Sequence, residues 1–337
     1  MSARPPSRLW LFRLVLFTLS LGFALVVSEI AVRLVVPVRN VGPSWTMHHP
    51  LYLQAVKPNL HARRRSPEFD TTFTTNSYGF RGAEPASTPS DAILFLGDSF
   101  TMGYGVTDGE EFPRVAGDRL EAVLGEAAPV VVNAGIGRGN GYWVKFLREE
   151  AVDYTPRYVV LMASSNDARD NRREKLFKLE DGNLVALPVL SPSSLRVAQA
   201  WLERIPLINE TYLYGLSRQL QLHSATVATG SAAGASGKSG RAKDWHDDLT
   251  LALMDEALAI CAERGWPVLL ATADMTEQEV DGVARIAAAR GVPFLRIPAK
   301  PERPDLYFEM DGHWTAEGHA LVGEQVARWV LEAEAIR

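Results

Sequence analysis

The sequence predicts an α/β protein, a three-layer sandwich in which a mostly parallel five-stranded sheet lies between helices, preceded by a transmembrane helix. Three observations predict it. From Ala92 onward short apolar runs alternate with amphipathic stretches, the pattern of strands buried on both faces by crossover helices. In both "ERGWPVLL" and "ARGVPFLR" a glycine stands just past a helix and a proline just ahead of a strand. The amino end, "RLWLFRLVLFTLSLGFALVVSEIAVRLVVP", is apolar apart from Arg13, Glu29, Arg33 and a few hydroxyls.

Residues 1–38 read as a cytoplasmic tip and a signal anchor. Arg4, Arg8 and Arg13 precede the apolar core and place the amino terminus in the cytoplasm, and Arg13 and Arg33 can snorkel at the two faces. The uncharged centre, Leu14 to Ser28, is shorter than the roughly 20 residues of a full span, so a signal peptide cut near Ser28 is the competing reading. The anchor is favoured because no A-x-A-like site follows and the apolar character resumes after Glu29. Either reading exports the rest of the chain.

Residues 39–90 are proline-rich and polar, with one strand-like alternation in "FDTTFTTNSYGFRG", and read as a stalk or entry segment lying against the main domain. The cluster Arg63-Arg64-Arg65 reads as a solvated or membrane-proximal patch. Residues 91–337 hold the sheet. Strands are expected over Ala92–Leu96, Val130–Asn133, Tyr158–Ala163, Pro267–Ala271 and Pro293–Ile297, and helices near Glu111–Leu124, Gly141–Val152, Leu249–Arg264, Thr276–Arg290 and Ala316–Glu332. Thr276 and Glu279 match a capping box. Residues 170–248 are too long for a plain connection and predict an insertion, helical in "SSLRVAQAWLERI" and "ETYLYGLSRQLQLH", flexible in "ATVATGSAAGASGKSG".

The chain has 337 residues, 47% of them hydrophobic, enough for a substantial core. Its formal net charge of -5, with no basic stripe, argues against nucleic acid as a partner. A single cysteine, Cys261, excludes an intramolecular disulfide and a cysteine-based metal site, and its helical surroundings make it a core thiol.

In "AILFLGDSFTMGYGV" a buried strand ends abruptly on Gly97-Asp98-Ser99, at the sheet edge where α/β proteins bind ligands. A serine needs a nearby base to become a nucleophile. Of the seven histidines only His313 has a suitable setting, in "FEMDGHWTAEGHALVGEQV", where Asp311 can fix its tautomer; His319 reads as packing. The turn "NAGIGRGNG" and Asn166 in "MASSNDARD" follow the next two strands and supply candidate donors to an oxyanion. Asp167 reads as site architecture or as an acceptor for backbone amides, Arg138 as an anion contact or a solvated side chain. Tyr142, Trp143 and Trp314 read as core or as sugar-stacking rings. Neither G-x-G-x-x-G nor the phosphate-loop pattern is present, which excludes a nucleotide site of those kinds.

These blocks, in this order from Ala92 to Arg337, resemble the SGNH or GDSL-type hydrolase superfamily. The resemblance implies Ser99 as nucleophile and, through its amide, an oxyanion donor; Gly137 or Gly139 as a second donor, in place of the Arg138 that occupies the family's glycine position; and Asn166 as a third. It implies His313 as base and Asp311 as its orienting acid, with Asp98, Asp167 and Trp314 supporting the site, and neither cofactor nor metal. "NSYGFRG" resembles the entry segment of membrane-attached members. Asp311-Gly312-His313-Trp314 is similar to the Asp-x-His-Trp variant of exported polysaccharide O-acetyltransferases. The implied protein is a single-pass bacterial membrane enzyme with its domain periplasmic or extracellular, acting on an acylated glycan or small ester, with a membrane acyl-donor partner. The alternatives are a non-catalytic glycan- or envelope-binding protein of the same fold and a lipid esterase or phospholipase.

Overall fold

The computed structural model describes residues 8–85, 89–136, 138–192, 194–205, 207–228 and 248–336. It opens with helix α1, Arg8–Val35, and two antiparallel hairpins: β1 (Thr46–His49) with β2 (Leu53–Val56), and β3 (His61–Arg65) with β4 (Asp70–Thr74). The sheet begins with β5, Ala92–Gly97, followed by the short helix α2, Ser99–Met102, and by α3, Phe112–Leu124. Then come β6 (Val130–Asn133), α4 (Asn140–Glu149), β7 (Tyr158–Ser164) and α5 (Asp167–Glu174). A hairpin of β8 (Phe177–Glu180) and β9 (Asn183–Ala186) leads to α6 (Ser194–Leu202) and α7 (Tyr212–Ala228). The chain closes with α8 (Asp248–Arg264), β10 (Val268–Ala273), α9 (Glu277–Arg290), β11 (Phe294–Leu295) and α10 (Ala316–Ile336).

The five strands of the central sheet run parallel in the order β11-β10-β7-β5-β6. All residues of β5 and β7 are buried, as continuous apolar runs covered on both faces must be. Their side chains divide by the two-residue strand period. Leu94, Leu96, Val159 and Leu161 join one cluster with α4, α8 and α9; Ile93, Phe95, Val160 and Met162 join the other with α3 and α10. Those two clusters make the three layers.

Local signals set the helix ends. The capping box of Thr276 and Glu279 is formed, and Gly291 closes α9 in the left-handed region at φ 65. The fifth strand is shorter than the sequence predicts: only Phe294 and Leu295 pair with β10, because Pro293 and Pro298 bracket the segment and a proline nitrogen cannot donate to a ladder.

Residues 39–81 contribute to the main core. Tyr52, Val56 and Phe80 lie in the same buried cluster as β5 and β7. The arginine cluster also differs from its solvated reading. Arg64 is 2% exposed and donates to Pro43 O and Asn40 Oδ1, while Arg65 pairs with Glu210 and Arg63 with Asp70. Of the stretch read as flexible, residues 225–228 are helical and end α7, and residues 229–240 lie outside the described residues.

Candidate active site

From β5 the chain steps to β6 on one side and then to β7 on the other, so the direction of winding reverses at β5. A crevice at the carboxyl ends of the strands follows from that reversal. Ser99 follows β5, Gly135 follows β6, Ser164 ends β7 and Asn166 follows it, so one edge gathers them.

The turn into α2 is tight. Asp98 caps the helix, its Oδ1 accepting from Phe100 N at 2.9 Å. A Cβ on Gly97 would stand 2.1 Å from Thr101 Oγ1, and one on Gly135 would stand 2.4 Å from Met102 N, so both glycines are needed for backbone to pass this closely. Gly103 ends α2 at φ 81. Half-buried Ser99 is thereby presented at the sheet edge.

The His313 loop arrives from 214 residues away. Ser99 Oγ and His313 Nε2 are 2.7 Å apart, and His313 Nδ1 bonds Asp311 Oδ1. Gly312, at φ 89, folds the chain so that a carboxylate two residues before the imidazole reaches Nδ1. Burial acts to raise the Asp311 carboxyl, but its bonds to and attraction by His313 outweigh that and hold it below the ordinary carboxylate value. His313 lies between aromatic rings, with Phe100 and Tyr104 each at 4.9 Å.

Two residues that the sequence reading missed hold this geometry. Glu68, in the turn between β3 and β4, accepts from Met310 N at 2.9 Å and Asp311 N at 2.7 Å and clamps the loop. Arg81, 5% exposed, donates to Met102 O, Gly103 O and Val106 O and pairs with Asp108 and Glu111, pinning the segment after α2. Arg81 falls in the quoted "NSYGFRG", a signal of position without a role; Glu68 has the surroundings of any surface carboxylate. Arg39, just past α1, reaches Met310 O at 3.4 Å.

Beneath Ser99 lies a buried polar chain. Ser164 Oγ is 2.8 Å from Asp98 Oδ2 and 2.7 Å from Asn166 Oδ1, and Asn166 Nδ2 donates to Asp170 at 2.8 Å. An amide nitrogen carries two hydrogens, so Asn166 keeps a second donor. Asp167 accepts from Ser164 N at 2.9 Å and Asn140 Nδ2 at 3.0 Å. Burial raises the carboxyls of Asp98 and Asp167, Asp167 well above the ordinary value with Asp98 adding to it.

The glycine turn is less complete. Gly137 lies outside the described residues, and the Gly139 amide donates to Glu174 Oε1 at 3.4 Å. Arg138 faces the same carboxylate at 3.4 Å. Trp314, Tyr142 and Trp143 are core residues, at most 1% exposed, and Trp314 backs Phe100 with ring centres 4.7 Å apart. Fully buried His319 accepts from Phe112 N at 3.3 Å. Among the described residues no group of histidine, cysteine and carboxylate side chains is placed to hold a metal ion.

A family model described as the GDSL-like lipase/acylhydrolase family matches residues 95–321, the span from mid-β5 into α10. No curated protein matches the chain. No solved structure matches it.

Proposed function

Because this chain belongs to the GDSL-like lipase/acylhydrolase family, we propose that it is a serine esterase or O-acyltransferase working through an acyl-enzyme on O-acyl esters, chiefly O-acetyl groups of glycans or envelope components. The observation that carries this reading is the bonded row of Ser99, His313 and Asp311. His313 Nε2 takes the Ser99 proton as Oγ attacks the ester carbonyl, and Asp311 stabilises the imidazolium that results. The Ser99 amide, in the first turn of α2 where backbone N–H groups lack helical partners, and the spare Asn166 donor receive the oxyanion. His313 then returns the proton to the departing alkoxide, leaving an acyl-Ser99 ester and an alcohol. Water, or a sugar hydroxyl, attacks that ester with His313 again as base, which frees an acid or forms a new ester and restores Ser99.

Glycan specificity rests on the Asp311-Gly312-His313-Trp314 spacing, and placement outside the cytoplasm rests on α1, apolar from Leu9 to Val35. A fluorophosphonate probe on the full chain in detergent, with the adduct located by mass spectrometry, tests the chemistry. Labelling at Ser99 that vanishes in His313→Ala is expected. A folded protein that stays unlabelled would sink the enzymatic reading and favour the non-catalytic one. Release of acetate from acetylated glycan in preference to simple esters or phospholipid is the test of substrate class.

A further inference from the structure

The insertion between β7 and α8 carries the most exposed apolar patch outside α1. Val197, Trp201 and Leu202 on α6, with Ile205 and Leu207 in the turn after it, are all exposed, Trp201 at 64% and Leu207 at 76%. Five exposed apolar side chains within residues 197–207 mark a surface that something covers. Leu207 is also held at φ 67, a strained conformation for a branched side chain, and it points its bulk outward. The turn is braced from beneath: Glu203 accepts from Lys57 Nζ at 3.2 Å and from the Tyr214 hydroxyl at 3.3 Å, and its carbonyl accepts from Asn209 at 3.1 Å.

The position of this patch identifies what covers it. Arg13 and Arg33 stand about 20 residues apart, about 30 Å along a helix, which is the thickness of a bilayer's hydrocarbon core. Arg33 therefore marks the core boundary on the side of the folded domain. One turn inside it, Glu29 accepts from Tyr212 N and Leu213 N, each at 2.9 Å, and so caps the start of α7. The Arg33 guanidinium lies 5.0 Å from the Tyr212 ring centre. The first turn of α7 is thus fastened to α1 at the depth where amphipathic rings meet headgroups. The apolar turn at Leu207 immediately precedes it, and Arg204 stacks 4.5 Å from Trp201 with its charge available to lipid phosphate.

We propose that α6 and the turn through Leu207 insert into the bilayer surface beside α1, as a second membrane contact. This rests on α1 being a membrane anchor. With two contacts the domain cannot swivel about a single helix, and Arg39, four residues past α1, holds the Asp311 loop close above the lipid.

The test uses the full chain in phosphatidylcholine/phosphatidylglycerol vesicles, with an environment-sensitive fluorophore on Trp201→Cys and, separately, on Leu207→Cys; Cys261 is buried. Leu19→Cys in α1 and Asn183→Cys at the start of β9 are the references. Quenching by nitroxide lipids labelled near the headgroup is expected at positions 201 and 207 and at neither greater depth nor position 183. Quenching at position 19 alone would overturn the proposal and leave the anchor standing. Absence of quenching at position 19 would remove both. Blue-shifted emission at position 201 without lipid quenching would mean that protein covers the patch, and would overturn the lipid assignment.

Discussion

Asp311 reaches His313 across a single intervening residue because Gly312 takes up φ 89, and the short spacing is therefore a matter of backbone shape. Asp311→Asn should leave the fold intact, favour the wrong imidazole tautomer and lower kcat on the order of 10³- to 10⁴-fold, measured by ester hydrolysis. The buried carboxyl of Glu174, beside the glycine turn, also makes stability depend on pH. Burial raises Glu174 from 4.5 to about 7 against the opposing attraction of Arg138. A raised carboxyl binds its proton more tightly folded than unfolded, so the unfolding free energy should fall as pH rises from 4.5 towards 7. Urea titrations at the two ends of that window should show the decline, and Glu174→Gln should flatten it. Asp311 has the opposite sign: its depressed carboxyl contributes stability above its ordinary range and loses it as pH falls through the folded value. Ser99, His313, Asp311 and Asn166 were readable from sequence because each sits at a strand end or tight turn with a distinctive neighbourhood. Glu68 was not, since its significance comes from two backbone amides 242 and 243 residues away.

The turn after β5 and the hairpin of β3 and β4 together act as the jig for the site. Gly135→Ala would force a methyl group against the amide of Met102, so α2 must shift with the Ser99 it carries. Loss of fluorophosphonate labelling, with secondary structure preserved by circular dichroism, is the expected outcome. Glu68→Ala releases Met310 and Asp311 without touching either reacting side chain. It should lower kcat by about 10- to 100-fold with a small change in KM, the effect of displacing a catalytic group by about an ångström. If steady-state kinetics show kcat unchanged, the clamp is not needed. The βα elements were readable because buried parallel strands leave continuous apolar runs. The four strands of residues 46–74 are only four or five residues long, and β1 buries none of its residues, so they leave little for periodicity to report.

Segments from the two halves of the chain converge on the edge that carries Ser99. Residues 39–81 pass Tyr52, Val56 and Phe80 into the core and Glu68 and Arg81 to the site, so a version begun after Gly82 should unfold at lower denaturant and fail to label at Ser99. A soluble, fully labelled product of that truncation would overturn this account. The parallel sheet and the apolar amino end were readable, since periodicity reports which faces are buried. The burial of Arg64 was not, because nothing in a run of three arginines indicates which one the fold will enclose. The separation of Ser99 from His313 also has a meaning in time. At about 5 to 20 residues per second, a ribosome needs on the order of 10 to 40 seconds to make the 214 residues from Phe100 to His313. Throughout that interval the emerging chain carries Ser99 without the imidazole it bonds in the folded protein, and the pair forms only when the last segments are made and docked. On the proposed function the protein is therefore inert while it is being synthesised, through the order of its own sequence.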